Sequence, residues 1–250
     1  MNKKKLVSVI TVCYNSEDYI EETIKSVLNQ SYNKIEYIIV DGKSKDNTLD
    51  IIRKYKNKYS DKLKYISEED KGIYDAMNKG IKMSRGEIIG ILNSGDWYDK
   101  NTIQKIVDNY NKNIDIYYGD KYLVNEENKK ILKIVKGSIN SLKERMSINR
   151  PTMFVKKDWY ENNFLYDIKY QLSADYKFAL KSYLKNANFQ YLNYPLTFMR
   201  TGGKSKNIKA KWEAFLIQEE LLNNKIYPII ILIKKLLGFY FDKIIKNFKQ

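Results

Sequence analysis

Three polar residues each stand at the end of a short apolar run. Asn15 follows Val7 to Tyr14, Asp41 follows Tyr37-Ile38-Ile39-Val40, and Asp96 follows Ile88 to Gly95. A carboxylate such as Asp41 can accept hydrogen bonds from a ribose hydroxyl or a base N–H. Asp96 is a hard oxygen donor, the type that Mg2+ or Mn2+ takes when it bridges two phosphates. Gly95 beside it lets a ligand approach the backbone closely. Either acid alone would also fit an ordinary turn after a strand. Their common placement, each closing a β-branched run in the same register, favours the chemical reading. A second set lies further on: Ser173-Ala174-Asp175-Tyr176 at a helix start, where Asp175 could take a proton or simply favour the helix dipole, and Arg200-Thr201-Gly202-Gly203-Lys204-Ser205, a loop able to touch phosphate or to lie free on the surface.

The elements that must position these residues follow from periodicity. Leu6–Cys13, Ile35–Val40, Leu63–Ile66 and Glu87–Leu92 are short apolar runs of the kind buried on both faces of a parallel sheet. Between them, 18–30, 48 onward, 72–83 and 100–110 carry apolar residues at helical spacing. Asn15 or Ser16 is expected to cap the first of these helices and Thr48 the second. Such alternation predicts an α/β fold, and in an open parallel sheet ligands bind beyond the carboxyl ends of the strands. Past Ile114 the pattern changes. Strands are expected near 114–118, 121–124 and 131–135, with 125–129 as a hairpin loop, then 152–155 and 189–194, and a helix over 174–184.

Composition narrows the chemistry. The 250 residues include no histidine, which removes the commonest general base and transition-metal ligand. Acid–base work falls to carboxylates, Lys, Tyr or Cys13, and any metal is a hard cation on oxygen. With one cysteine no internal disulfide can form, so the chain reads as cytoplasmic. The formal net charge of +15 fits nucleic acid, an anionic membrane surface or phosphorylated small molecules, or a plain bias toward lysine. The tyrosines interleaved with lysines form no compact RNA-binding motif, and no nucleic-acid partner is expected. The turn after the first strand lacks Gly-x-Gly-x-x-Gly, which argues against a dinucleotide dehydrogenase. No run of about 18 uncharged apolar residues occurs, so no membrane span is expected.

The chain resembles the family 2 glycosyltransferases of the GT-A fold. The resemblance rests on Thr11-Val12-Cys13-Tyr14-Asn15, Ser26-Val27-Leu28-Asn29-Gln30-Ser31-Tyr32, Val40-Asp41-Gly42-Lys43-Ser44-Lys45-Asp46-Asn47-Thr48, Asp70-Lys71-Gly72-Ile73-Tyr74-Asp75-Ala76-Met77-Asn78-Lys79-Gly80 and Arg85-Gly86-Glu87. It is specific over 6–99 and weaker to about 205. It implies a Rossmann-like, mostly parallel sheet flanked by helices: a transferase domain over 1–205, with a nucleotide-binding half (1–110) and an acceptor half (111–205). It also implies inverting transfer of a hexosyl or N-acetylhexosaminyl group from a nucleotide-diphosphate sugar, UDP-linked, to a hydroxyl of a glycan or lipid-linked glycan. Thr11, Tyr14, Asn15, Asp41, Lys71, Asn78 and Ser94 are then expected at the nucleotide, with Asp41 on the uridine, and Asp96 at a divalent metal. Asn93 and Gly95 stand where relatives carry further acids. Asp175 matches the catalytic base, with Asp167 and Asp120 next in line. Asn149-Arg150-Pro151-Thr152 sits where relatives often have His-Gln.

The resemblance does not reach the C-terminal tail, 206–250. Ile226 to Phe248 is strongly apolar, and Lys234, Lys235, Lys243, Lys246 and Lys249 form a basic stripe. This reads as an amphipathic helix that lies on an anionic membrane at its inner face, or else docks on the domain or a second subunit. A catalytically degenerate scaffold that binds membrane or nucleic acid is the competing reading of the whole chain.

Overall fold

The computed structural model describes residues 4–202 and 208–222. Its centre is a nine-stranded sheet ordered β3-β2-β1-β4-β8-β6-β9-β5, where the edge strand β5 is the short Trp97–Tyr98, with β7 paired to β6 off this path. The first four strands, β1 (Val7–Cys13), β2 (Ile35–Asp41), β3 (Leu63–Ser67) and β4 (Ile88–Asn93), are mutually parallel. Register aligns their carboxyl ends: Cys13 faces Asp41, Asp41 faces Ser67, and Val12 faces Asn93. The strand-end residues read from sequence therefore share one edge of the sheet.

Side chains alternate between two cores, as period-two strands require. Ile10, Val12, Ile38, Val40, Ile89 and Ile91 pack under α3 (Ile73–Met83), α6 (Ala174–Leu184) and α7 (Ile208–Leu221). Val7, Val9, Tyr37, Ile39, Ile88 and Leu92 pack under α1 (Ile20–Leu28), α2 (Thr48–Lys58) and α4 (Thr102–Asp108). Gly80 lets α3 sit directly on β1, because a Cβ there would lie 2.4 Å from Ile10 Cγ2.

The second half is a mixed sheet. β8 (Phe154–Lys156) is antiparallel to β4 and β6, whereas β6 (Ile116–Val124) and β9 (Phe189–Arg200) are parallel. The two strands expected at 114–118 and 121–124 are one strand. The apparent break at Gly119-Asp120 is a register shift opposite Pro195, and β9 continues through it to Arg200. A bulge accommodates the proline that cannot donate to the ladder. The 125–129 hairpin joins β6 to β7 (Ile131–Val135), and Asn125 Oδ1 accepts the backbone N–H groups of Glu127 and Asn128. No expected cap bonds its own helix start through its side chain. Ser16 contributes its carbonyl to Tyr19 and Ile20, while the Thr48 hydroxyl accepts from the Ser16 N–H and Asp46 accepts from Thr48.

Residues 208–221, counted with the tail by sequence, form α7, and Ile217 is buried in the α3–α6 core. Ile226 to Gln250, with the proposed membrane face, lies outside the described residues. Among the described residues no helix is long and apolar enough to cross a membrane.

Candidate active site

Loops at the carboxyl ends of β1 and β2 brace each other. Asn15 adopts a left-handed conformation (φ 46°), its N–H donates to Ser44 Oγ at 2.8 Å, and its Oδ1 accepts the Lys45 N–H at 2.9 Å. Asp41 is fully buried. Its carboxylate accepts the Ser44 hydroxyl (2.5 Å) and N–H (3.1 Å) and the Ser67 hydroxyl (2.6 Å), with the Cys13 thiol at 3.7 Å. These donors occupy the roughly four lone-pair sites of a carboxylate. Asp41 thus fastens the loop from within. The surface beside it is made by Gly42, Tyr14, which is 58% exposed, and Asp70. A Cβ on Gly42 would lie 3.1 Å from Asp70 Oδ2 and 3.5 Å from the Tyr14 ring. An aromatic wall and a carboxylate around a bare backbone can take a planar ring with an N–H edge. Burial raises the Asp70 carboxyl, and the Lys79 ammonium 2.6 Å away opposes that.

Two of the expected nucleotide residues point elsewhere. Thr11 is fully buried, and its hydroxyl accepts from Tyr37 at 2.9 Å, on the α1–α2 side of the sheet. Asn78 spends its whole amide on one backbone unit: Nδ2 donates to Tyr166 O at 2.8 Å and Oδ1 accepts the Tyr166 N–H at 3.0 Å. It staples the 163–173 loop to α3. Lys71 is exposed at the entrance to α3, and its N–H donates to Asp75. Cys13 is no acid–base candidate, because burial pushes its thiol far up.

The turn after β4 forms the crevice floor. Gly95 takes a φ of +97°, a conformation other residues adopt only under strain, and this places Asp96 directly behind it. The Thr23 hydroxyl donates to Asp96 O, and Arg200 Nε donates to Gly95 O at 2.9 Å. Arg200 also binds Glu126 O and Glu22 and stacks against Tyr19 and Trp97, so its guanidinium clamps this turn to α1 and the hairpin. Burial pushes the Asp96 carboxyl up to about 6, with Arg150, Lys121 and Arg200 pulling the other way. Asn93 Oδ1 and Ser94 Oγ lie buried beside it with no partner. Among the described residues no group of three or more acids or cysteines could by itself hold a metal. One carboxylate next to unspent oxygens still fits a hard divalent ion that draws its other ligands from phosphate and water.

The first turn of α6 carries Asp175. Its Oδ1 accepts from Tyr74 OH at 3.0 Å and from the Tyr176 N–H at 2.8 Å, and Arg150 Nε lies 3.4 Å from Oδ2. The Asp175 side chain is 17% exposed; burial raises its carboxyl and Arg150 opposes the rise. Arg150 pairs with Asp175 and its charge also reaches Asp96, and the Lys121 charge on β6 reaches both acids. The floor acid and the α6 acid therefore belong to one electrostatic cluster. The reserve candidates are committed elsewhere. Asp167 pairs with Lys177 at 2.7 Å, and Asp120 accepts from Tyr191 OH and the Gly137 N–H.

The α6 start is held from behind by α7. Buried Glu213 accepts three successive backbone N–H groups, Gln171 at 3.1 Å, Leu172 at 2.8 Å and Ser173 at 2.9 Å. Nothing in the sequence marks Glu213 or Lys121, and Tyr74 and Arg150 stand there only as members of motifs. A lone glutamate on a helix or a lysine on a strand carries no local mark of such work. Only the departure from His-Gln at 149–152 could have drawn attention to Arg150.

Comparison with known proteins agrees with this architecture. Putative teichuronic acid biosynthesis glycosyltransferase TuaG of Bacillus subtilis is 42% identical over 105 residues, 42% of this chain and 41% of that protein. Chondroitin synthase of Escherichia coli is 30% identical over 116 residues, 46% of this chain and 17% of the enzyme. The matched stretch thus spans less than half of either relative. Among solved structures, S. aureus TarS 1–349 in complex with UDP-GlcNAc superposes with a TM-score of 0.67 at 22% identity, covering 92% of this chain and 71% of that one. Mannosyltransferase PcManGT from Pyrobaculum calidifontis, in complex with GDP-Man and Mn2+, gives 0.68 at 15% identity over 89% of this chain and 66% of that one. Both likenesses establish a shared GT-A fold. The Glycosyl transferase family 2 model matches residues 8–167, well over half of the chain, and the chain belongs to that family.

Proposed function

We propose that this chain is an inverting glycosyltransferase. It transfers a hexosyl or N-acetylhexosaminyl group from a UDP-sugar to a hydroxyl of a growing glycan. The observation that carries the reading is Asp175 held on the Arg150 guanidinium, Nε to Oδ2 3.4 Å, with the charge of that same arginine also reaching Asp96. A nucleotide-sugar transferase needs a diphosphate site and a proton acceptor on either side of the sugar. The recess of Tyr14, Gly42 and Asp70 suits the base, and relatives and structural neighbours named for polysaccharide work and nucleotide-sugar complexes support the donor class.

In this reading the acceptor oxygen attacks the anomeric carbon as Asp175 takes its proton. The bond from that carbon to the diphosphate oxygen breaks, and the electron pair leaves with the nucleotide. Asp175 is suited to the task because Tyr74 and the Tyr176 N–H fix Oδ1 while burial lifts its proton affinity. Asp96, with Asn93 and Ser94 beside it, would hold a Mn2+ or Mg2+ ion. Such an ion supplies positive charge to the departing diphosphate. The lipid-linked acceptor and the membrane contact of the tail complete the proposal, because a basic amphipathic segment brings the domain to the surface where such an acceptor is presented.

Asp175→Asn tests the reading, since it keeps shape but cannot take the proton. Turnover of a UDP-sugar and glycan acceptor should fall by about 10²–10⁴, while UDP affinity by calorimetry stays as it was. Near-normal turnover in this variant would remove Asp175 as the base.

A further inference from the structure

Two cations whose charge reaches Asp96 and Asp175 have hydrogen-bonding capacity left unspent. Arg150 has a side chain only 13% exposed, its Nε faces Asp175, and its Nη1 is buried with no partner. Lys121 places its ammonium 3.0 Å from the sulfur of Met199. A thioether is a weak acceptor, so a largely buried ammonium on it is poorly compensated. The two cations also repel each other, and burial draws the Lys121 ammonium down. Lys121 directly follows the β6 register shift at Asp120, a device that re-aims a side chain. Arg200, the other cation at the floor, is consumed by Gly95 O, Glu126 O and Glu22. Meanwhile the floor offers one carboxylate for a metal, since Asn93 and Gly95 flank it in place of acids.

We propose that Arg150 and Lys121 form a cationic seat for the donor's diphosphate, one that holds it without a divalent ion. The inference rests on the transferase reading above. A guanidinium with an unpartnered Nη1 and an ammonium set on a thioether, both with charge that reaches Asp96, match the oxygens of a diphosphate. The seat shares with the metal a charge that Asp96 alone secures weakly.

The test is calorimetry of UDP and of uridine against the full chain, in Mn2+ and in EDTA. Wild type, Lys121→Met, Lys121→Arg and Arg150→Gln are compared, with thermal unfolding as a check on folding. Wild-type UDP affinity should fall less than about tenfold on moving to EDTA. Lys121→Met and Arg150→Gln should each lose about tenfold or more in EDTA, the worth of one charge-assisted hydrogen bond. Lys121→Arg should keep the affinity, and uridine binding should not change in any variant. The proposal is overturned if wild-type UDP binds no better than uridine in EDTA. It is equally overturned if Lys121→Met and Arg150→Gln bind UDP as wild type does. Absence of UDP binding by wild type even with Mn2+ would instead sink the transferase reading, and this seat with it.

Discussion

Glu213 offers the sharpest quantitative test of how the fold holds its chemistry. One carboxylate receives the N–H groups of Gln171 on Oε1 and of Leu172 and Ser173 on Oε2, directly ahead of the helix that carries Asp175. In Glu213→Gln the better amide orientation keeps the oxygen on Leu172 and Ser173 and turns its NH2 toward Gln171. Two charge-assisted bonds become neutral, each losing about 1 kcal/mol, and the Gln171 N–H loses its acceptor for about 1 kcal/mol more. The expected loss is about 3 kcal/mol. Glu213→Ala leaves all three donors empty and should cost about 3–6 kcal/mol. Urea unfolding followed by far-UV circular dichroism measures both. In the folded Gln variant, turnover should drop while UDP affinity holds, because the α6 start loosens and the nucleotide recess does not. Unchanged stability in Glu213→Gln would refute the reasoning. So would an equal loss of UDP affinity and turnover, since that would tie Glu213 to the nucleotide rather than to α6.

Three other outcomes are expected. Asp96 has its carboxyl raised to about 6, and a metal binds only the ionised form, so Mn2+ affinity measured with UDP should be level above that pH and fall about tenfold per unit below it; an affinity flat between pH 5 and 7 would remove Asp96 as the ligand. Asn78→Ala strands two buried backbone groups of Tyr166, so it should cost about 2–4 kcal/mol of stability yet leave UDP affinity intact in the folded protein, whereas a selective loss of UDP binding would return Asn78 to the nucleotide site. The full chain should sediment with anionic liposomes and a chain ending near Asn224 should not, and equal sedimentation of the two would refute the membrane role of the tail.

Much of the parallel half is legible in the chain itself. Short continuous apolar runs with β-branched residues mark β1, β2 and β4, and their shared polar endings foretell the common edge on which Asn15, Asp41 and Asp96 stand. The helix carrying Asp175 reads as such in the sequence over 174–184 and spans those residues. Local pattern specifies such elements because backbone geometry repeats every two or 3.6 residues. It failed at Gly119-Asp120, where a bulge imitates a turn and its partner Pro195 is remote in sequence. It also cannot say how a polar side chain is spent. Asp41 and Asn78 have the residue types of ligand contacts, yet Ser67 and Tyr166 claim them from 26 and 88 residues away. Lys121 and Glu213 lie in no motif, and Arg150 and Tyr74 lie in motifs that give no sign of a contact with Asp175. They acquire meaning only when β6, α3, α7 and the 150–152 turn converge on Asp175, because hydrogen bonds and charge act through space and the order of residues along the chain does not encode those distances.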